Sequence, residues 1–174
     1  MAVRRIKMSD AVTARLKELA AKSKGTLKVG FIDNEEAQIA LYNEFGHKGR
    51  FPAPARPFFR TMVSNESPKW PEMMAAELKR TKFDAEDTLT HMGEKIEGAL
   101  KFSIRELQSP PLSPVTLRLR LKFGNHPEEI RLGDVYRAIG DVRRGEKVAS
   151  GTQAKPLIWT HRMIDSTSYK VRVG

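Results

Sequence analysis

The stretch DAEDTLTHMGEKIEGALKFSIRELQSPP, residues 84–111, decides the fold. Asp84 is a helix-capping residue type. Leu89, Met92, Ile96, Leu100, Ile104 and Leu107 then recur at spacings of three and four, which places them on one face of a helix. Ser109 is followed by Pro110 and Pro111, whose rings supply no amide hydrogen and clash with the preceding turn, so the helix cannot pass them. A helix from about Asp84 to Leu107 is therefore the spine against which the other elements pack.

Outward from that spine, Leu27-Lys28-Val29-Gly30-Phe31 alternates apolar with other residues, the period of a half-buried strand. Tyr169, Val171 and Val173, alternating with Lys170 and Arg172, predict a final strand that pairs back onto Leu27 to Ile32. Glu35 and Glu36 suit the first turn of a helix that carries Ala37, Leu41 and Phe45 along one face and stops at Gly46. An earlier helix, capped by Ser9 or Asp10, would place Val12, Leu16, Leu19 and Ala20 on one face and end before Gly25. Downstream, Ser113-Pro114 caps and opens a helix that continues from Thr116 to Lys122. Between Gly124 and Gly151 the apolar residues Ile130, Leu132, Val135, Tyr136 and Ile139 are interrupted by Gly133, Gly140 and Gly145, which predicts a charge-rich arm or long hairpin. The expected class is α+β. One domain over residues 1–174 holds a small antiparallel or mixed sheet against a long central helix and shorter helices, with an extended arm inserted at about 124–151.

A chain of 174 residues is long enough to bury a core. The absence of cysteine excludes a disulfide framework and a cysteine-ligated zinc site. The apolar runs are too short to span a membrane, and Met1 to Lys7 is basic without the apolar block of a signal peptide, so a soluble protein folding in the cytoplasm, with no membrane partner, is expected. A formal charge of +10 favours an acidic partner, either nucleic acid or an acidic protein surface. Basic clusters occur at Arg4-Arg5-Lys7, Arg118-Arg120-Lys122 and Arg143-Arg144-Lys147; a solvated surface is the ordinary explanation for each.

No reaction centre emerges. His47, His91, His126 and His161 lie far apart and form no pair at helical spacing. Asp84, Glu86 and Asp87 gather where a helix start needs capping and dipole compensation. Gly140 to Gly145 lacks the lysine and hydroxyl residue that end a phosphate loop. No catalytic, cofactor-binding or metal-binding residue is assigned. Met73, Met74 and Met92 are expected as core filler, and Trp70 and Trp159 as packing residues.

Two phrases carry the functional expectation. In the first, Glu44-Phe45-Gly46 is followed, after a loop from His47 to Ala55, by Pro54-Ala55-Arg56-Pro57-Phe58-Phe59-Arg60. Pro57 suits the first position of a helix, and Arg56 before it is pushed out of helical conformation. Phe58 and Phe59 point in different directions, so one enters the core while the other faces a neighbour. Arg and aromatic side chains of this kind belong either to a subunit interface or to internal scaffolding of a helix start. The candidate assembly residues are Phe45, Arg50, Arg56, Phe58, Phe59 and Arg60, with Arg143, Arg144 and Lys147 in the arm.

The second phrase runs Ser109-Pro110-Pro111-Leu112-Ser113-Pro114-Val115-Thr116-Leu117, then Lys155-Pro156-Leu157-Ile158-Trp159-Thr160, Met163, Asp165-Ser166 and Ser168-Tyr169-Lys170-Val171. In order and spacing, over roughly residues 27 to 173, the two phrases resemble the tail-completion, or head-tail joining (neck), proteins of tailed bacteriophages. The resemblance implies a structural virion protein without catalysis. It would form a ring, commonly a hexamer, that completes the tail and joins it to the head. Its partners would be copies of itself, the head connector or stopper proteins, and the tail terminator or tail tube proteins, with genomic double-stranded DNA in the lumen. The loop His47 to Ala55 and the arm Gly124 to Gly151 are the expected contacts with adjoining rings. The alternative is a nonspecific basic nucleic-acid-binding protein. Charge favours it, and the scarcity of aromatics among the basic clusters counts against it. A small hydrolase of the lytic module has no residue support.

Overall fold

The computed structural model describes residues 14, 17, 18, 24–32, 36–159 and 161–174. Strand β1 (Gly25–Gly30) is followed by helices α1 (Glu36–Phe45), α2 (Phe58–Glu66), α3 (Trp70–Arg80), α4 (Ala85–Glu106), α5 (Pro114–Phe123), α6 (Leu132–Arg143) and α7 (Arg162–Asp165), and strand β2 (Ser168–Val173) comes last. Short 3-10 turns precede α3 and α6 and occupy Gly151–Ala154. The expected helix from Ser9 or Asp10, the cluster Arg4-Arg5-Lys7, Glu35 and Thr160 lie outside the described residues.

Helix α4 is the spine, and its cap is the expected one: Asp84 Oδ1 accepts from the Asp87 amide at 2.9 Å. Its stripe is buried as the spacing requires, with Met92, Ile96, Leu100 and Ile104 in the core and Leu89 and Leu107 half-buried. The two strands pair antiparallel, Leu27 opposite Val171 and Val29 opposite Tyr169, and the ribbon lies across α4. A two-stranded ribbon is marginal alone, so the helix beneath it supplies the buried face it needs. Close approach depends on Gly93, where a Cβ would stand 2.5 Å from Tyr169 Cδ2 and 2.7 Å from Cγ. Phe58, Met62, Leu157, Met163 and Ile164 complete the core around α4, with Trp70, Met73 and Met74 packed against it. These positions are where the packing methionines and Trp70 were expected.

Helix α3 is fastened to α4 by one carboxylate. Glu77 receives Lys95 at 2.5 Å and Arg80 at 2.6 Å, and these hydrogen bonds hold its pKa down to about 2. Among the described residues no helix is long and apolar enough to cross a membrane.

One expectation needs correction. The stretch 124–151 is not extended: Leu132 to Arg143 is helical, and α6 packs back against α5. Gly133 and Gly140 sit inside this helix, because tertiary ties outweigh the roughly 1 kcal/mol that each glycine costs. Asp141 receives Lys122 and Arg118, both at 2.9 Å, and these hydrogen bonds lower its pKa to about 2; Arg144 also reaches it at 2.5 Å. Asp134 Oδ2 also accepts from the Arg131 amide and anchors the first turn. This stretch thus carries a helix, α6, that pairs with α5 as a helical hairpin. Helix α1 turns apolar residues outward: its buried positions are Ala40 and Glu44, whereas Leu41 and Phe45 are exposed together with Tyr42.

Candidate assembly surface

The junction between α1 and α2 is built around a buried carboxylate. Helix α2 begins after Pro57, which has no side chain able to cap it, so its first amides need another acceptor. Glu44, only 5% exposed, provides one from the neighbouring helix. Its Oε2 accepts from the Phe59 amide at 2.9 Å, and its Oε1 accepts from the Arg60 amide at 3.1 Å and from Arg60 Nε at 2.8 Å. A negative group at a helix N-terminus also opposes the positive end of the macrodipole. Burying Glu44 turns the opposite side of α1 outward, because a helix cannot bury both faces against one neighbour.

Gly46 lets the chain leave α1 sharply. It has φ of 71°, and a Cβ there would stand 2.7 Å from both Ala53 O and Ala55 N. The loop that follows is more regular than its glycine and prolines suggest, since His47 and Ala53 exchange backbone hydrogen bonds at 2.9 and 3.0 Å. It returns the chain to Arg56, whose amide donates to Asn43 O at 2.7 Å.

Arg56 and Phe58 are not surface residues. Arg56 is 5% exposed, and its guanidinium donates to the carbonyls of Pro110 at 3.1 Å and Pro111 at 3.2 Å; burial lowers its pKa. Phe58 is 1% exposed and meets Phe31 edge to face. Both were expected at an assembly surface, and both are internal because each satisfies a need of the protomer. Arg56 pairs the carbonyls of Pro110 and Pro111, and Phe58 fills the core above α4. The outward members are Phe45, at 58% exposed, and Arg60, whose guanidinium lies 4.8 Å from the centre of the Phe45 ring. Phe59 is half-buried between them and the core. With Leu41 they edge a shallow depression of about 350 Å³ over β1 and α2.

Arg50, also exposed, meets the Tyr136 hydroxyl and lies 5.5 Å from the centre of that ring. The loop and the α5–α6 hairpin, separate candidates in the sequence, are thereby brought together. Arg143, Arg144 and Lys147 are exposed at the far end of α6, where Arg144 is paired with Asp141 and the Lys147 carbonyl receives Arg118 at 2.8 Å.

The cluster Arg118-Arg120-Lys122 has an internal use that its spacing did not reveal. Arg118 and Lys122 hold Asp141, and Arg120 is 5% exposed. The Arg120 guanidinium donates to the carbonyls of Lys155 at 2.7 Å, Pro156 at 3.0 Å and Ile158 at 3.4 Å, and lies 5.0 Å from the Trp159 ring centre. Burial, and secondarily Arg56, push its pKa down to about 10, which leaves it protonated at neutral pH. Beside it opens a cleft of about 430 Å³ lined by Arg105, Lys155, His161 and Trp159. Among the described residues, no three His, Asp or Glu side chains converge as a metal site.

The residues of the two sequence phrases are therefore bonded to each other. Glu44 joins the first phrase to itself, Arg56 joins it to Pro110 and Pro111, and Arg120 joins α5 to Lys155-Pro156-Leu157-Ile158. The chain matches no protein-family model, no curated protein and no solved structure.

Proposed function

We propose that this chain is a structural ring subunit of the head-tail junction of a tailed bacteriophage. In this reading it completes the tail, meets the head connector or stopper on one side and the tail terminator or tube on the other, and performs no catalysis. The observation that carries the reading is the outward apolar face of α1. That helix gives its buried positions to Ala40 and Glu44 and turns Leu41, Tyr42 and Phe45 to the surface. Large exposed aromatic and aliphatic groups beside arginine are the composition of a protein-binding surface. The resemblance of the two sequence phrases to neck proteins supplies the identity of the assembly. The test is electron microscopy of particles made without this protein. Full heads and finished-looking tails lying apart are expected, and intact virions would overturn the proposal.

The alternative, a nonspecific nucleic-acid-binding protein, has a second observation in its favour beside the charge of +10. Arg105, Lys155 and Trp159 share an open cleft in which a base could stack and a phosphate could meet a cation. Against it, the cations of α5 are already committed to carbonyls and carboxylates inside the fold. Tight, steeply salt-dependent retardation of a DNA fragment by the isolated protein would favour this alternative.

A further inference from the structure

Besides the α1 face, the molecule carries a second exposed apolar surface of different shape. Helices α2 and α4 leave between them a groove of about 700 Å³, lined by Thr61, Met62, Gly98, Ala99, Phe102 and Leu107. That volume is room for several side chains. Phe102 stands 63% exposed at its edge, and nothing lies within 4 Å of where a Gly98 Cβ would be, so the groove has an open floor beside an aromatic wall.

The two surfaces differ in sign as well as in shape. The charged residues lining the groove are both carboxylates, Glu66 and Glu106, in a chain of formal charge +10. At the α1 face the charged residues are the buried Glu44, already engaged, and the exposed Arg60, with Lys48 and Arg50 following in the loop. Glu66 also meets Lys69, and Glu106 stands 3.9 Å from Lys155, so attraction between the surfaces sets register more than strength.

Their placement is the decisive point. Phe59 belongs to the α1 side and Thr61 to the groove, and two residues on one helix project about 160° apart around its axis. The surfaces thus occupy opposite flanks of α2, and one molecule cannot bring them together. We infer that the Leu41, Tyr42 and Phe45 face of one copy docks into the α2–α4 groove of the next copy. Such a contact is heterologous, and repeated by rotation it closes a ring. This inference rests on the ring proposed above and names the surfaces that would build it.

The cysteine-free chain allows a direct test. Phe45→Cys and Phe102→Cys are made in separate full-length proteins, mixed, and treated with a short bismaleimide, with Phe83→Cys as an exposed control. Both target side chains are mostly exposed, so neither change opens the core. A product joining position 45 to position 102, absent from either protein alone and from mixtures with the control, is expected. The doubly substituted chain should give a ladder that ends at a closed species. Joining of 45 to 45 or of 102 to 102 would show a two-fold contact and overturn the inference, as would the absence of any product above control. Phe45→Glu and Phe102→Glu should each lose the assembled species, while their mixture regains a one-to-one pair, since each retains one intact surface. If Phe102→Glu assembled like the parent, the groove would belong to another partner and the inference would fail. Virion joining by particles lacking the protein would instead overturn the neck reading and leave the cross-link result standing.

Discussion

Replacing Glu44 by alanine should cost more stability than any exposed ion pair could supply. The side chain makes two hydrogen bonds to the first amides of α2 and one to Arg60, from a position only 5% exposed. Loss of a helix cap costs about 1 kcal/mol, and a hydrogen bond to a charged group contributes about 1.5–3 kcal/mol. The Arg60 side chain is 57% exposed, so its share of the pairing falls to the surface range, below about 1 kcal/mol. A loss of about 2–4 kcal/mol is expected for Glu44→Ala, somewhat less for Glu44→Gln, and below about 1 kcal/mol for Arg60→Ala. For a chain of this length that corresponds to a fall in Tm of roughly 5–12 °C for the alanine variant. Urea and thermal unfolding followed by circular dichroism would read it, with a double-mutant cycle to isolate the Glu44–Arg60 coupling. A Glu44→Ala protein melting within a degree or so of the parent, or an Arg60→Ala protein losing as much, would refute the capping role.

Further outcomes follow from close packing and from titration. Gly93→Ala should destabilise by about 1–3 kcal/mol through collision with Tyr169, although alanine is the better helix former; Gly98→Ala, which meets no neighbour, should stabilise by about 0.5–1 kcal/mol. Asp141 and Glu77 have pKa values lowered to about 2 from 3.8 and 4.5, so their stabilisation is complete above those ordinary values and is lost as pH falls toward 2. Thermal melts across that interval should decline steadily, and Asp141→Asn and Glu77→Gln should lower Tm at neutral pH while flattening the acid decline.

The elements legible in the sequence are those whose signal is local. The α4 stripe, its Asp84 cap, the Ser113 cap of α5 and the alternation of the two strands all sit within a few residues of what they specify. The illegible parts depend on contacts distant in the chain. Nothing in its own stretch marks Glu44 as buried; the acceptor role appears only once α2 presents the Phe59 and Arg60 amides to it, and that contact sets the orientation of α1. Arg56 and Arg120 resemble surface cations in sequence, but carbonyls of Pro110, Pro111, Lys155 and Pro156 claim them. The glycines of α6 suggested a break, and the cations converging on Asp141 from α5 are a tie, distant in the chain, that holds the helix despite them. The groove beside Phe102 has no linear signature, because it is a space between two helices.

The pairing of β1 with β2 also sets the timing of maturation. Strand β1 leaves the ribosome about 140 residues ahead of its only partner among the described residues. Until then the helices can gather around α4, but Leu27 and Val29 have no opposite strand, and the contact order of the finished ribbon is high. A nascent chain is therefore barred from presenting its complete α4 platform before Ser168–Val173 has emerged.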